Sequence, residues 1–410
     1  MSYASLIATL KPGERVYIPG SAGEPIGLME ALCAEGAPPL HLTAPFVPGL
    51  NVAPLDSLPE GATFTSIFAH AQSPQVRERA MFRQLPLSFN GFVKHLSERV
   101  EFDAAIIQVS PPDAEGLCSA GVSGEFIPVA ARRSRRLLGV VNARTPKLRN
   151  APRFRLSDFA AVVQIDAALR QYDVGAPSPD ATAIAGHIAP FIGDGATVEV
   201  GLGKIPDAVM RSLTGRRGLK LFSGMLSDGA RDLVEAGALD PAFLHTACVY
   251  IGSEGFYRWL GGRDDFAAQG CDITHDIARL AGLKGFVAVN SAVSIDLFGQ
   301  ANLETLDGRM ISGAGGGPDF SRAGVVGAGG ISIIALPSTG GRKQSSRIVP
   351  SLDGLVSVPR HDIDVIATEH GAADLRGLTA AERMTRLIAI AAPQHREALE
   401  RAGHDMIKRL

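Results

Sequence analysis

The chain has 410 residues, a length at which a single hydrophobic core normally divides into two. A hydrophobic fraction of 46% and a charged fraction of 20% are those of an ordinary globular protein. Forty basic against forty-two acidic residues leave a net charge of −2, so there is no general electrostatic attraction to nucleic acid or to an anionic membrane, and neither is expected as a partner.

In chain order, the opening "MSYASLIATLKPGERV" has no basic segment ahead of an apolar core, and no secretory leader is expected. "RVYIPG" followed by "PIGLMEALCAEG" pairs a short strand with a helical segment, and "FDAAIIQVSPP" reads as another strand. "ARRSRR" (Ala131–Arg136) is expected as a solvated helix face. "DVGAPSPDAT" (Asp173–Thr182) is rich in Pro, Gly and Asp and is expected as a linker, which predicts domains at 1–175 and 183–410. Beyond it, "TVEVGLG", "PDAVMRSLTG", "GFVAVNSAV" and "GISIIALPS" continue the alternation. Strands alternating with helices predict an α/β fold of mostly parallel sheets covered by helices. "LTAAER" (Leu378–Arg383) holds a capping box, Thr379 with Glu382, that starts a C-terminal helix. The longest apolar runs, such as "ISIIALP" (Ile331–Pro337), are too short for a membrane span. Four cysteines without a CxxC make neither a disulfide framework nor a metal centre, and Cys271 with His275 four residues on is expected to pack in a core. A reduced, cytoplasmic protein without a bound metal is the expectation.

The two halves repeat one another. "LKPGERVYIPGSAGEPIGLMEAL", from Leu10, aligns with "FIGDGATVEVGLGKIPDAVMRSL", from Phe191, matching Gly13 with Gly195, Gly20 with Gly201 and Pro25 with Pro206. Each copy predicts a strand, a glycine turn and a helix preceded by proline.

Candidate chemistry gathers in the second half. Glu199 lies between Val198 and Val200 on a strand with two covered faces, so its carboxylate is either paired with Arg or Lys or functional. Gly201 and Gly203 allow close backbone approach to a ligand, and the helix start beside them favours an anionic group; with Lys204 they are the cofactor-binding candidates, together with Gly313 and Gly317. The run Gly313, Gly315, Gly316, Gly317 suits N–H groups aimed at an oxyanion, or is a flexible loop. Asn290 ends a strand and is either a second oxyanion donor or a turn cap. Glu254 is a solvated loop acid or a catalytic group, and nothing near Cys118 lowers its pKa. "LFSGMLSDG" (Leu221–Gly229) predicts a strand, a Ser-Gly turn and a helix start, without the elbow that would make Ser223 a nucleophile.

Seven segments in order carry a resemblance: "VSPPDAEGLCSAGVS", "VEVGLGKIPDAV", "SGMLSDGARDLVEAG", "VNSAVSIDLFGQ", "SGAGGGPDF", "SRIVP" and "TEHGAADLRG". Together they resemble the acetyl-CoA hydrolase/transferase family, which includes acetate and 4-hydroxybutyrate CoA-transferases. The resemblance implies two open α/β domains of the class I CoA-transferase type, and coenzyme A or an acyl-CoA as substrate rather than as a resident cofactor. It also implies a carboxylate co-substrate and a homo-oligomer, or a hetero-oligomer with a paralogue. In such enzymes a glutamate attacks the thioester and carries CoA as a glutamyl thioester. The resemblance places Gly315, Gly316 and Asn290 at the oxyanion and Gly201 and Gly203 beside CoA.

It also places the nucleophile position at Gly224, where this chain has no side chain. Ser294 stands where the family often has Glu, Gly317 where Gln is common, and Glu199 where Gln is usual. Three readings follow. In one, an acyl-CoA enzyme works without the glutamyl-CoA intermediate, with volume freed at Gly224 and with Glu199, or else Glu254, as base or relocated nucleophile. Hydrolysis, transfer, or cleavage or condensation of a β-keto thioester would be its reaction. The alternative is a non-catalytic CoA-binding subunit partnering an active paralogue. A sugar-phosphate isomerase, the third, lacks a phosphate-binding cluster.

Overall fold

A computed structural model describes residues 2–409 and divides them into two compact units. The first comprises the chain up to Asp173 together with Leu244–Thr274 and Ile311–Gly315; the second comprises Val174–Phe243, His275–Met310 and Gly316 onward.

The main sheet of the first unit contains β1 (Arg15–Tyr17), β2 (His41–Thr43), β3 (Thr63–Ser66), β4 (Phe82–Gln84), β5 (Ala104–Val109), β6 (Leu137–Asn142) and β7 (Phe159–Ile165). They form one sheet in the order β4-β3-β2-β1-β5-β6-β7, with parallel neighbours throughout. Every residue of β5, "AAIIQV", is buried, the pattern of a strand covered on both faces. Val16, Ile18, Phe46, Phe64, Ile106 and Val140 belong to the core built on this sheet. The segment "ARRSRR" is helical only at its start, since the helix Ile127–Arg132 ends there. The following arginines turn away and pair instead: Arg133 with Glu101, Arg135 with Asp103 and Arg136 with Glu14.

In the second unit, β8 (Thr197–Val200), β9 (Lys220–Leu226), β10 (Phe286–Ser291), β11 (Ile331–Ala335), β12 (Val365–Thr368) and β13 (Gly371–Asp374) stand in the order β9-β8-β10-β11-β12-β13. All pairs are parallel except the closing hairpin β12–β13. The helix Ala380–Ala389 begins at the expected box: Thr379 N donates to Glu382 Oε2 at 2.8 Å, and Glu382 N to Thr379 Oγ1 at 3.4 Å.

The internal repeat is visible in the topology. β1 lies between β2 and β5, and β8 between β9 and β10, so each is the strand from which its sheet extends in both directions. Gly13 and Gly195, matched in the sequence, enter these strands with φ of +81° and +74°, a conformation that favours glycine. The exits differ. In the first unit the turn after β1 is sealed: Ser21 N donates to Asn51 Oδ1 at 2.8 Å, Asn51 Nδ2 to Glu24 Oε2 at 2.6 Å, and Arg170 Nε to the same oxygen at 2.8 Å. In the second unit helix α1 (Lys204–Ser212) starts directly after Gly203 and has no side-chain cap. Pro206 is the third residue of α1 rather than the residue before it, still within the first turn where a missing N–H costs nothing.

Candidate functional site

Ligands of open α/β sheets sit beyond the carboxyl ends of the strands where the strand order reverses. In the second unit this is the end of β8 and β10, and it is where Glu199 and Asn290 meet. Asn290 Nδ2 donates to Glu199 Oε2 at 2.9 Å. Glu199 is 1% exposed and Asn290 8%. Burial pushes the Glu199 carboxyl up to about 8, against the opposing pull of the Asn290 amide and the Val289 backbone. The partner of this carboxyl is therefore a neutral amide, and among the described residues no Arg or Lys forms an ion pair with it. One Asn290 N–H is spent on Glu199; an amide has two.

Helix α2 (Gly317–Val326) supplies the next wall. It begins at Gly316 without a side-chain cap; Pro318 has no N–H and Asp319 N donates to Gly316 O at 3.1 Å, which leaves the Gly317 N–H as the first-turn donor for a ligand. A Cβ at Gly317 would stand 3.5 Å from Asn290 Oδ1, so the N-terminus of α2 abuts the Glu199–Asn290 pair. Gly201 and Gly203 follow β8, and Lys204 is exposed at the first position of α1. The crevice beside this turn, lined by Gly201, Gly203, Asp207 and Met225, has a volume of about 10 Å³, room for one water molecule. Any larger ligand at this turn lies over it rather than in it.

Gly224 departs from the sequence expectation. It is not in a turn; β9 runs unbroken through "KLFSGML". The Ser223 side chain explains the continuity, because its hydroxyl donates to Val200 O at 2.9 Å and accepts from Val200 N at 3.3 Å, holding the end of β9 against β8. Nor is there freed volume. A Cβ on Gly224 would lie 3.2 Å from Phe320 Cε2 and 3.4 Å from His275 Nε2, tighter than ordinary contact. The same two rings pack on Gly316, where a Cβ would come within 2.4 Å of His275 Nε2. His275 and Phe320 pack with ring centroids 4.5 Å apart and planes tilted by 47°. Burial lowers the His275 pKa to about 3, so the ring is neutral at any physiological pH. His275 packs in a core as its sequence position implied, but its pairing with Phe320 was not foreseen, since "CDITHD" and "GPDF" carry no periodicity that marks a shared cluster.

The remaining candidates belong to the first unit. Gly313 approaches Ile67 so closely that a Cβ would meet its carbonyl oxygen at 2.1 Å, and Gly315 O accepts from Phe89 N at 3.0 Å. The glycine run is thus a packed crossing from one unit to the other, not a free loop. Glu254 is exposed at the start of the helix Glu254–Leu260, and Cys118 is buried with its thiol pKa raised by burial.

Residues 252–403 match the family model for the acetyl-CoA hydrolase/transferase C-terminal domain. The 4-hydroxybutyrate coenzyme A transferase of Clostridium kluyveri is 34% identical over 310 residues, 74% of this chain and 72% of that protein. The chain belongs to the acetyl-CoA hydrolase/transferase family. Among solved structures, RipA from Yersinia pestis superposes with a TM-score of 0.90 at 27% identity, over 99% of this chain and 97% of RipA. The 4-hydroxybutyrate CoA-transferase of Porphyromonas gingivalis gives 0.80 at 25% identity, over 100% and 97%. Family membership and these neighbours agree with the expected α/β architecture of mostly parallel sheets. Among the described residues no helix is long and apolar enough to cross a membrane.

Proposed function

We propose that this family member acts on an acyl-CoA thioester by direct attack of water or another hydroxyl acceptor, without a glutamyl-CoA intermediate at position 224. The second Asn290 N–H and the Gly317 N–H at the start of α2 hold the thioester oxygen as it gains charge. Glu199 takes the proton of the attacking O–H as the new C–O bond forms. The C–S bond then breaks, and the proton passes to the departing CoA sulfur. A carboxyl titrating near 8 is a stronger base than an ordinary glutamate and keeps an ionised fraction at neutral pH, which suits general-base work. The observation that carries this reading is the 2.9 Å bond that joins the two groups at the strand ends.

A panel of acyl-CoA thioesters, assayed for free CoA with and without acetate, tests it. CoA release should not require the carboxylate, and Glu199→Gln should slow it by about a hundredfold or more. Borohydride trapping of a glutamyl thioester would overturn the reading. One observation favours the alternative, a non-catalytic CoA-binding subunit with an active paralogue: His275 and Phe320 close the nucleophile position. CoA binding without turnover across the panel would establish it.

A further inference from the structure

The carboxyl edge of the first unit's sheet bears a cavity that the thioester reading leaves unused. β6 and β7 end side by side, and Asn142 clamps the loops that follow them. Its Nδ2 donates to Ala167 O at 2.8 Å, and its Oδ1 accepts from Ala167 N at 3.2 Å and from Arg144 N at 3.1 Å. Next to this clamp is a cavity of about 320 Å³, within the range of small-ligand sites, roughly 300–1,000 Å³. Pro146, Leu169 and Tyr257 line it with apolar surface, and Arg144, Glu254 and Arg258 line it with charge. The wall also contains Thr145, buried, whose hydroxyl has no hydrogen-bond partner.

The charges are arranged unusually. Glu254 and Arg258 are four apart on one short helix, the spacing and order at which such residues pair across a turn. Among the described residues they form no ion pair with each other or with any other group. Arg144 is taken by Asp166, Nε to Oδ1 at 2.6 Å, and Glu254 adds only a longer-range pull on it. Tyr257 is held in the cavity wall by its hydroxyl bond to the Arg170 carbonyl. A rigid apolar surface therefore carries one unpaired negative and one unpaired positive charge about one helical turn apart, roughly 6 Å at the Cβ atoms.

We propose that this cavity binds a zwitterionic α-amino acid with an apolar side chain. Its ammonium group meets Glu254, its carboxylate meets Arg258, and its side chain lies on Pro146, Leu169 and Tyr257. A simple carboxylate would leave Glu254 unpaired beside it, and a simple amine would leave Arg258 so.

Calorimetric titration and thermal shift on the full chain test this with L-leucine, L-phenylalanine and two truncated leucines. These are 4-methylpentanoate, which lacks the ammonium group, and 3-methylbutylamine, which lacks the carboxylate. At least one amino acid should bind saturably and raise Tm, with each truncated form at least tenfold weaker than leucine. Glu254→Gln and Arg258→Gln, both at exposed positions, should each weaken that binding tenfold or more. Absence of saturable binding by either amino acid overturns the proposal, as does equal binding of 4-methylpentanoate or binding unaffected by both substitutions. None of these readouts depends on thioester turnover.

Discussion

Replacing Glu199 by Gln should abolish a large part of the protein's pH-dependent stability. The native carboxyl titrates near 8 because it is buried, whereas the unfolded chain releases the same proton at the ordinary 4.5. Below 4.5 both states hold the proton and the native state has its full stability. Between the two values only the native state holds it, so every pH unit costs about 1.4 kcal/mol. The loss is complete once the pH has passed the native value, and amounts to several kcal/mol, on the order of 3–5. Glutamine keeps an acceptor for Asn290 and has nothing to titrate. Guanidinium unfolding of both proteins from pH 5 to 9.5 should therefore give a difference in ΔG that grows by about 1.4 kcal/mol per pH unit and levels off above pH 8. Glu125, buried in the first unit and raised to about 7 by that burial, is present in both proteins and cancels in the difference. Parallel stability curves would refute the reasoning, because they would mean that Glu199 is already ionised in the native protein at neutral pH.

The packing at Gly224 makes a graded prediction. Gly224→Ala should cost about 1 kcal/mol in unfolding, since Phe320 and His275 must each yield slightly. Gly224→Glu should cost more and show no CoA exchange with acetate until His275→Ala is added; immediate exchange by the single variant would refute the ring contacts. Thr379→Ala should cost about 1 kcal/mol by removing the cap of the helix Ala380–Ala389, and an unchanged midpoint would show that the helix end is held by other contacts.

The features legible in the sequence were those set by local chemistry and by period. Alternating apolar and amphipathic segments announced parallel sheets; the capping box at Thr379 and the paired glycines Gly13 and Gly195 needed only their own few residues. Glu199 stood out because a carboxylate in an apolar strand has few explanations. Its actual partner did not, since Asn290 lies on another strand and the pairing depends on sheet order. "LFSGML" looks like a turn because Ser and Gly usually break strands, yet the Ser223 hydroxyl supplies hydrogen bonds that hold it as one. The glycine run at Gly313–Gly317 gave no sign that it belongs to two units, and the rings that fill the space at Gly224 come from distant parts of the chain. Such tertiary choices have no local signature.

The different exits of the two repeated strands divide labour within a duplicated design. Bolting Glu24, Asn51 and Arg170 across the mouth of the first copy makes that end masonry rather than a doorway. Sequence drift there threatens the building, whereas drift at the mouth left ajar after β8 changes what the building does. A lineage can thus rewrite its chemistry on one half while the other keeps the frame true.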